Sequence, residues 1–120
     1  WVSLAGPHAF NPIKTKSTTP LFHNFASNID QTKPTTFARS DAPPGLLLHG
    51  KKDTIVYERN STLLASAIKT KNGRITLRAI DDVGHIEILL SITGNILFNN
   101  DVKQELFAFI SNLEDTASLD

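Results

Sequence analysis

The sequence contains no cysteine and no methionine, so disulfide bridges and thiolate metal sites are excluded. Neither sign of charge is in excess: lysines and arginines number 12, aspartates and glutamates 12. A balance of this kind builds no basic face and no acidic tail, and no nucleic-acid partner is expected. No stretch approaches the roughly 18 consecutive apolar residues of a membrane span, so none is expected either. No glycine-rich phosphate loop follows an apolar segment, which argues against a nucleotide-binding or response-regulator-like half. His8 and His23 lie in a polar segment where they could line a pocket, but they lack paired metal-ligand spacing, and no metal is expected. No targeting segment is visible, and the compartment stays unknown. At 120 residues with ordinary apolar content, the chain is of single-domain size.

What is present concentrates in residues 43–85, PPGLLLHGKKDTIVYERNSTLLASAIKTKNGRITLRAIDDVGHI. Leu46, Leu47 and Leu48 form a continuous apolar run between Pro43-Pro44-Gly45 and His49-Gly50, the pattern of a short strand buried on both faces of a parallel sheet. Over 58–71, Leu63, Leu64, Ala67 and Ile68 recur at helical spacing, Asn72-Gly73 supplies a left-handed stop, and Lys69 and Lys71 suit the negative end of a helix dipole. Ile75, Leu77, Ala79 and Ile80 make the next strand, after which Asp81-Asp82-Val83-Gly84 turns the chain and delivers His85. Strand, helix, parallel strand is a right-handed crossover that puts both carboxyl ends at one edge of the sheet. Ligands of open α/β sheets bind there, and neighbouring strands are only about 4.8 Å apart. Asp53 and His85 are therefore expected within hydrogen-bonding reach, as the orienting half of a catalytic triad.

LLLHGKKDTIV, followed about thirty residues later by DDVGHI, resembles the last third of an α/β-hydrolase, in particular the bacterial esterases and lipases of the carboxylesterase type. VSLAGPHAF resembles the strand and turn before that, so the likeness runs from Val2 to about Leu113. The resemblance implies a partial α/β-hydrolase fold of about three parallel strands with flanking helices, a small-molecule ester as substrate, and no cofactor. It implies a Ser-Asp-His triad with Asp53 as acid and His85 as base. No Gly-x-Ser-x-Gly and no His-Gly-Gly-Gly occurs, and Ser3, flanked by Val2 and Leu4, is no nucleophile elbow. The expectation is a C-terminal fragment, residues 1–120 forming one partial domain that lacks the nucleophile and is inactive alone. Ala9 stands where many relatives carry an acidic residue. Dienelactone hydrolases and prolyl-peptidase-like enzymes place the same acid and base similarly, so lactones and peptides stay open as substrates.

The plainer readings are an Asp53 that only forms a turn and a His85 that only caps or packs. If both are relics, the chain is a non-catalytic interaction or scaffold domain whose working surface is a strand edge. Residues 1–5 read as that edge strand, open on one side to a second copy of the chain near Trp1. His49 should pack or hydrogen-bond at its strand end; Glu87, Lys51 and Lys52 should lie in solvent. Residues 10–42 are rich in Thr, Asn, Lys and Pro, with one short helix expected over 20–27. Phe10, Phe22, Phe25 and Phe37 are expected to anchor this segment to the core, and the resemblance implies that it roofs the substrate pocket. Ile86, Leu89, Leu90 and Ile92 suggest a brief amphipathic helix ended by Gly94-Asn95. Asn99-Asn100-Asp101 offers an N-cap to a last helix over 102–113, with Val102, Leu106, Phe109, Ile110 and Leu113 on one face, and 114–120 reads as polar and frayed, 115–120 being the polar tail of the single domain.

Overall fold

The computed structural model describes residues 1–14, 16–93 and 101–117. Its centre is a parallel sheet of three strands, β1 (Val2–Leu4), β2 (Gly45–Gly50) and β3 (Ile75–Ile80), in the order β1-β2-β3. Leu47 pairs with Ser3 on one side and Leu77 on the other, and β2 is buried along its whole length. That explains the unbroken leucine run: a strand flanked by two neighbours and covered on two faces has no solvent side to alternate with. Trp1 is tied to the far end of the sheet, its indole N–H donating to the Pro43 carbonyl and its own carbonyl accepting from Leu46.

Strand alternation divides the core. Leu47 joins Leu64, Ala65 and Ile68 of helix α2 (Arg59–Thr70), with Ile75, Leu77 and Ala38 packed against them. Leu46 and Leu48 point the other way, into a cluster with Ala5, Ile80, Val83, Ile88 and Val102. Ile88 belongs to α3 (His85–Leu90) and Val102 to α4 (Asp101–Ala117), so these two helices cover the second face. Helix α2 stops where the Asn72-Gly73 pair predicts: Asn72 has φ 60°, and the N–H of Gly73 returns to the Ile68 carbonyl.

Four details differ from expectation. Helix α3 buries Ile88, and Ser91 is buried at its C-cap, while Ile86, Leu89, Leu90 and Ile92 are exposed, because the helix starts at His85 and only one side of this short element meets the sheet. Helix α4 continues to Ala117, four residues past Leu113; Ile110 is exposed, and Val102, Leu106, Phe109 and Leu113 carry its inner face. Leu63 likewise faces solvent and Ala65 takes its place in the core. The segment between β1 and β2 is one helical turn, α1 (Thr19–Phe22), among four 3₁₀ turns at Pro12–Lys14, His23–Phe25, Ile29–Thr32 and Pro34–Phe37. Prolines open two of the 3₁₀ turns and the second position of α1, where a missing N–H costs nothing. Phe10, Phe25 and Phe37 are exposed and so do not anchor this segment; only Phe22 is half-buried. Gly94-Asn95 and Asn99-Asn100 lie outside the described residues, as do 118–120. No described helix is long and apolar enough to cross a membrane.

Candidate active site

The loops after β2 and β3 are laced together before any side chain is considered. The N–H of Lys51 donates to the Ile80 carbonyl and the N–H of Lys52 to the Val83 carbonyl, each at 2.9 Å. The approach is close enough to require glycine at position 50: a Cβ there would lie 2.2 Å from the Val83 carbonyl oxygen. Across the outside, Lys51 pairs with Asp81 and Lys52 with Asp82, both at 2.8 Å. The lysines are exposed as expected but are ion-paired. Hydrogen bonding to the aspartates, then their charge, raises the pKa of both lysines, and the same contact with Lys52 lowers that of Asp82.

These loops bring Asp53 and His85 together. Asp53 uses its two oxygens for two tasks. Oδ1 accepts the backbone N–H groups of Ile55 (2.9 Å) and Val56 (2.8 Å), closing a tight turn. Oδ2 lies 2.8 Å from Nδ1 of His85, the first residue of α3. The turn-former reading of Asp53 is thus correct for one oxygen and leaves the other free to face the imidazole. Its side chain is wholly buried, whereas that of His85 keeps 21 % of its surface. Burial raises the Asp53 pKa, but the hydrogen bond from His85, the N–H groups of Val56 and Ile55, and the charge of His85 outweigh it and leave the carboxyl below its ordinary value. An ionised carboxylate accepts only, so Nδ1 of His85 carries the proton and donates. In the neutral ring Nε2 then keeps its lone pair, and it has no hydrogen-bond partner among the described residues. It borders a shallow cavity of about 310 Å³ lined by residues that include Lys52, Ile55, Asp82, Ile86 and Glu87. A buried acid holding an imidazole with its far nitrogen free is the arrangement of a general base.

Of the remaining histidines, His8 and His23 make their contacts elsewhere, while His49 lies beside Asp53. His8 Nε2 meets Ser3 Oγ at 2.9 Å, and burial followed by the nearby His49 lowers its pKa. His23 is exposed and meets the Pro20 carbonyl. Among the described residues no cluster of three His, Asp or Glu is placed to hold a metal. At Ala9 the backbone N–H donates to the Asn60 side chain, so a polar contact of that loop is made to α2. Glu87 is on the surface, its carboxylate folded over Gly84. His49 is fully buried, with Nδ1 2.7 Å from Ser61 Oγ and Nε2 2.7 Å from the Val56 carbonyl. The backbone bond fits expectation. The contact with Ser61 escaped sequence reasoning; its signal is a histidine on the face of β2 that Leu47 turns toward α2, where a buried imidazole must find partners.

A parallel sheet covered by helices on two faces, with an acid and a histidine on successive post-strand loops, is part of an α/β-hydrolase fold. No family model and no curated protein matches the sequence. Solved structures do: esterase 2 of the planctomycete Thermogutta terrifontis in its native form has a TM-score of 0.66 at 17% identity, over 93% of this chain and 41% of that one. The same esterase with propionate bound gives 0.67 at 16% identity, over 93% and 42%. A truncated carbohydrate esterase from gut microbiota gives 0.55 at 19% identity, over 70% and 34%. At these identities the likeness is one of fold, and the chain spans about two fifths of the length of the Thermogutta esterase.

Proposed function

We propose that this chain supplies the acid, Asp53, and the base, His85, of a Ser-Asp-His triad in a carboxylic ester hydrolase whose serine lies outside these 120 residues. The observation that carries the reading is the 2.8 Å contact between His85 Nδ1 and the buried Asp53 Oδ2, which leaves Nε2 free to take a proton. In the reaction Nε2 accepts the serine proton as Oγ attacks the ester carbonyl, then returns it to the leaving alcohol. Water is activated in the same way to release the acid. Asp53 keeps the ring in the required tautomer and stabilises the imidazolium that forms. In this reading residues 10–42 roof the acyl pocket.

The esterase of like fold is known with propionate and with butyrate bound, so short-chain p-nitrophenyl esters are the first substrates to try. The 120-residue chain alone should give no hydrolysis above buffer. In a protein that joins it to a Gly-x-Ser-x-Gly segment, His85→Ala should abolish turnover, and Asp53→Asn should lower it by as much as ~10⁴, as in the serine-protease triad. Turnover by the isolated chain that His85→Ala abolishes, or turnover in the joined protein that survives His85→Ala, overturns the proposal. A second reading, an interaction domain that pairs with its own copy, is favoured by β1, which among the described residues has β2 as its sole neighbour and exposes Val2, with Trp1 exposed just before it. A dimer in sedimentation that Val2→Lys dissociates would support it.

A further inference from the structure

Asp53 does not hold its position unaided. Val56, whose N–H is held by Asp53 Oδ1, turns its carbonyl to Nε2 of His49 at 2.7 Å. A carbonyl only accepts, so this nitrogen carries a proton, and in the neutral ring Nδ1 then accepts from the Ser61 hydroxyl. The same Nε2 is 3.5 Å from Asp53 Oδ2, the oxygen that meets His85. All three of these residues are enclosed, His49 fully, Ser61 at 1% exposure and Asp53 at 5%, none of it from the Asp53 side chain. One imidazole at the end of β2 thus grips the turn at Val56, borders the reactive oxygen of the acid, and is fixed by a hydroxyl from α2.

We infer that His49 and Ser61 are positioning residues for Asp53: they lock the 53–56 turn to β2 and α2 so that Oδ2 is presented to Nδ1 of His85. The inference rests on the acid–base reading of Asp53 and His85. Removing the imidazole alone leaves the buried Val56 carbonyl and Ser61 hydroxyl without their partner, which is itself destabilising, so the readout has to report on Asp53 itself and not on stability. What apolar packing does not reproduce is an N–H directed at the Val56 carbonyl. Loss of that donor leaves the turn without its outer tether, and Asp53 gains freedom to rotate away from His85.

The signature to read is the His85 Nδ1 proton in ¹H–¹⁵N spectra of the histidine-labelled chain, where a hydrogen bond to a carboxylate gives a protected, downfield resonance. Asp53→Asn should remove it. His49→Phe, which fills the space without the donor, should remove it or raise its solvent exchange at least tenfold. His49→Gln, which restores an N–H near the old Nε2, should recover most of it. Ser61→Ala keeps the ring and frees its tautomer, and should raise exchange several-fold, which decides the matter if His49→Phe does not fold. A resonance lost in Asp53→Asn but unchanged in the foldable His49 and Ser61 variants overturns the positioning role and leaves the acid–base pair intact. A resonance that survives Asp53→Asn removes the pair, and this inference with it.

Discussion

Gly50→Ala tests the geometry of the site without touching an ionisable group. The added methyl would sit 2.2 Å from the Val83 carbonyl oxygen and 2.7 Å from its carbonyl carbon, both backbone atoms that no rotamer change can move aside. Bringing the oxygen contact to an ordinary 3.4 Å requires the post-β2 and post-β3 loops to part by about 1.2 Å. If that displacement falls on the Asp53–His85 contact, its 2.8 Å separation opens to about 4 Å, beyond a hydrogen bond. Overpacking of this kind costs about 1–3 kcal/mol, which for a chain of this size lowers Tm by roughly 4–12 °C. A misplacement near 1 Å in a catalytic constellation costs on the order of 10² in turnover.

The assay pairs thermal unfolding by circular dichroism with the His85 Nδ1 proton resonance, and with ester turnover once the serine is supplied in the same protein. Gly45→Ala is the control. Its methyl would meet the side chains of Trp1 and Ile75 at the opposite end of β2, so it should destabilise the fold while leaving the His85 proton in place. A Gly50→Ala chain that keeps both its wild-type Tm and its Asp53–His85 hydrogen bond would refute the claim that this close approach sets the site.

Two further predictions concern the acid and the helix stop. Because the Asp53 pKa is depressed in the folded chain, its contribution to stability is complete above the ordinary carboxylate value of about 3.9 and is lost as pH falls through the lower folded value. Urea unfolding of wild type and Asp53→Asn should therefore show a stability gap at pH 6 that shrinks below about pH 4; a gap that stays constant or widens in acid contradicts the depressed value. At Asn72, with φ 60°, Asn72→Gly should be neutral or slightly stabilising and Asn72→Val should cost about 1–2 kcal/mol in chemical denaturation. Equal stabilities of the two would mean that the left-handed turn is not required.

The parts of this chain that could be read from sequence are those where a repeating physical demand writes a pattern. Three leucines in a row mark a strand with no wet side, and an Asn-Gly pair after helical spacing marks the αL exit of α2. Parallel pairing then forces Asp53 and His85 to one rim, so their meeting follows from topology. Where contact with the sheet is brief, the pattern fails: α3 has apolar residues on several sides, and only the sheet decides that Ile88 and not Leu89 goes inward. The ion pairs had a readable signal, two lysines in one post-strand loop and two aspartates in the next, at the same edge.

His49 shows what spacing cannot reach. Position 49 is polar at the end of an apolar strand, and position 61 is a serine in a helix; nothing in their separation says that they touch. Their connection follows only after the register is fixed, when Leu47 facing α2 obliges His49 to face it too. In the positioning inferred above, a buried imidazole with both nitrogens engaged holds the turn that carries Asp53, so that a carboxylate without any exposed side-chain surface faces a histidine that retains some. Asp53 can stay ionised in that enclosure because two N–H groups and an imidazole, not water, solvate its charge. The same three donors fix its direction, so the interactions that keep the acid charged also aim it.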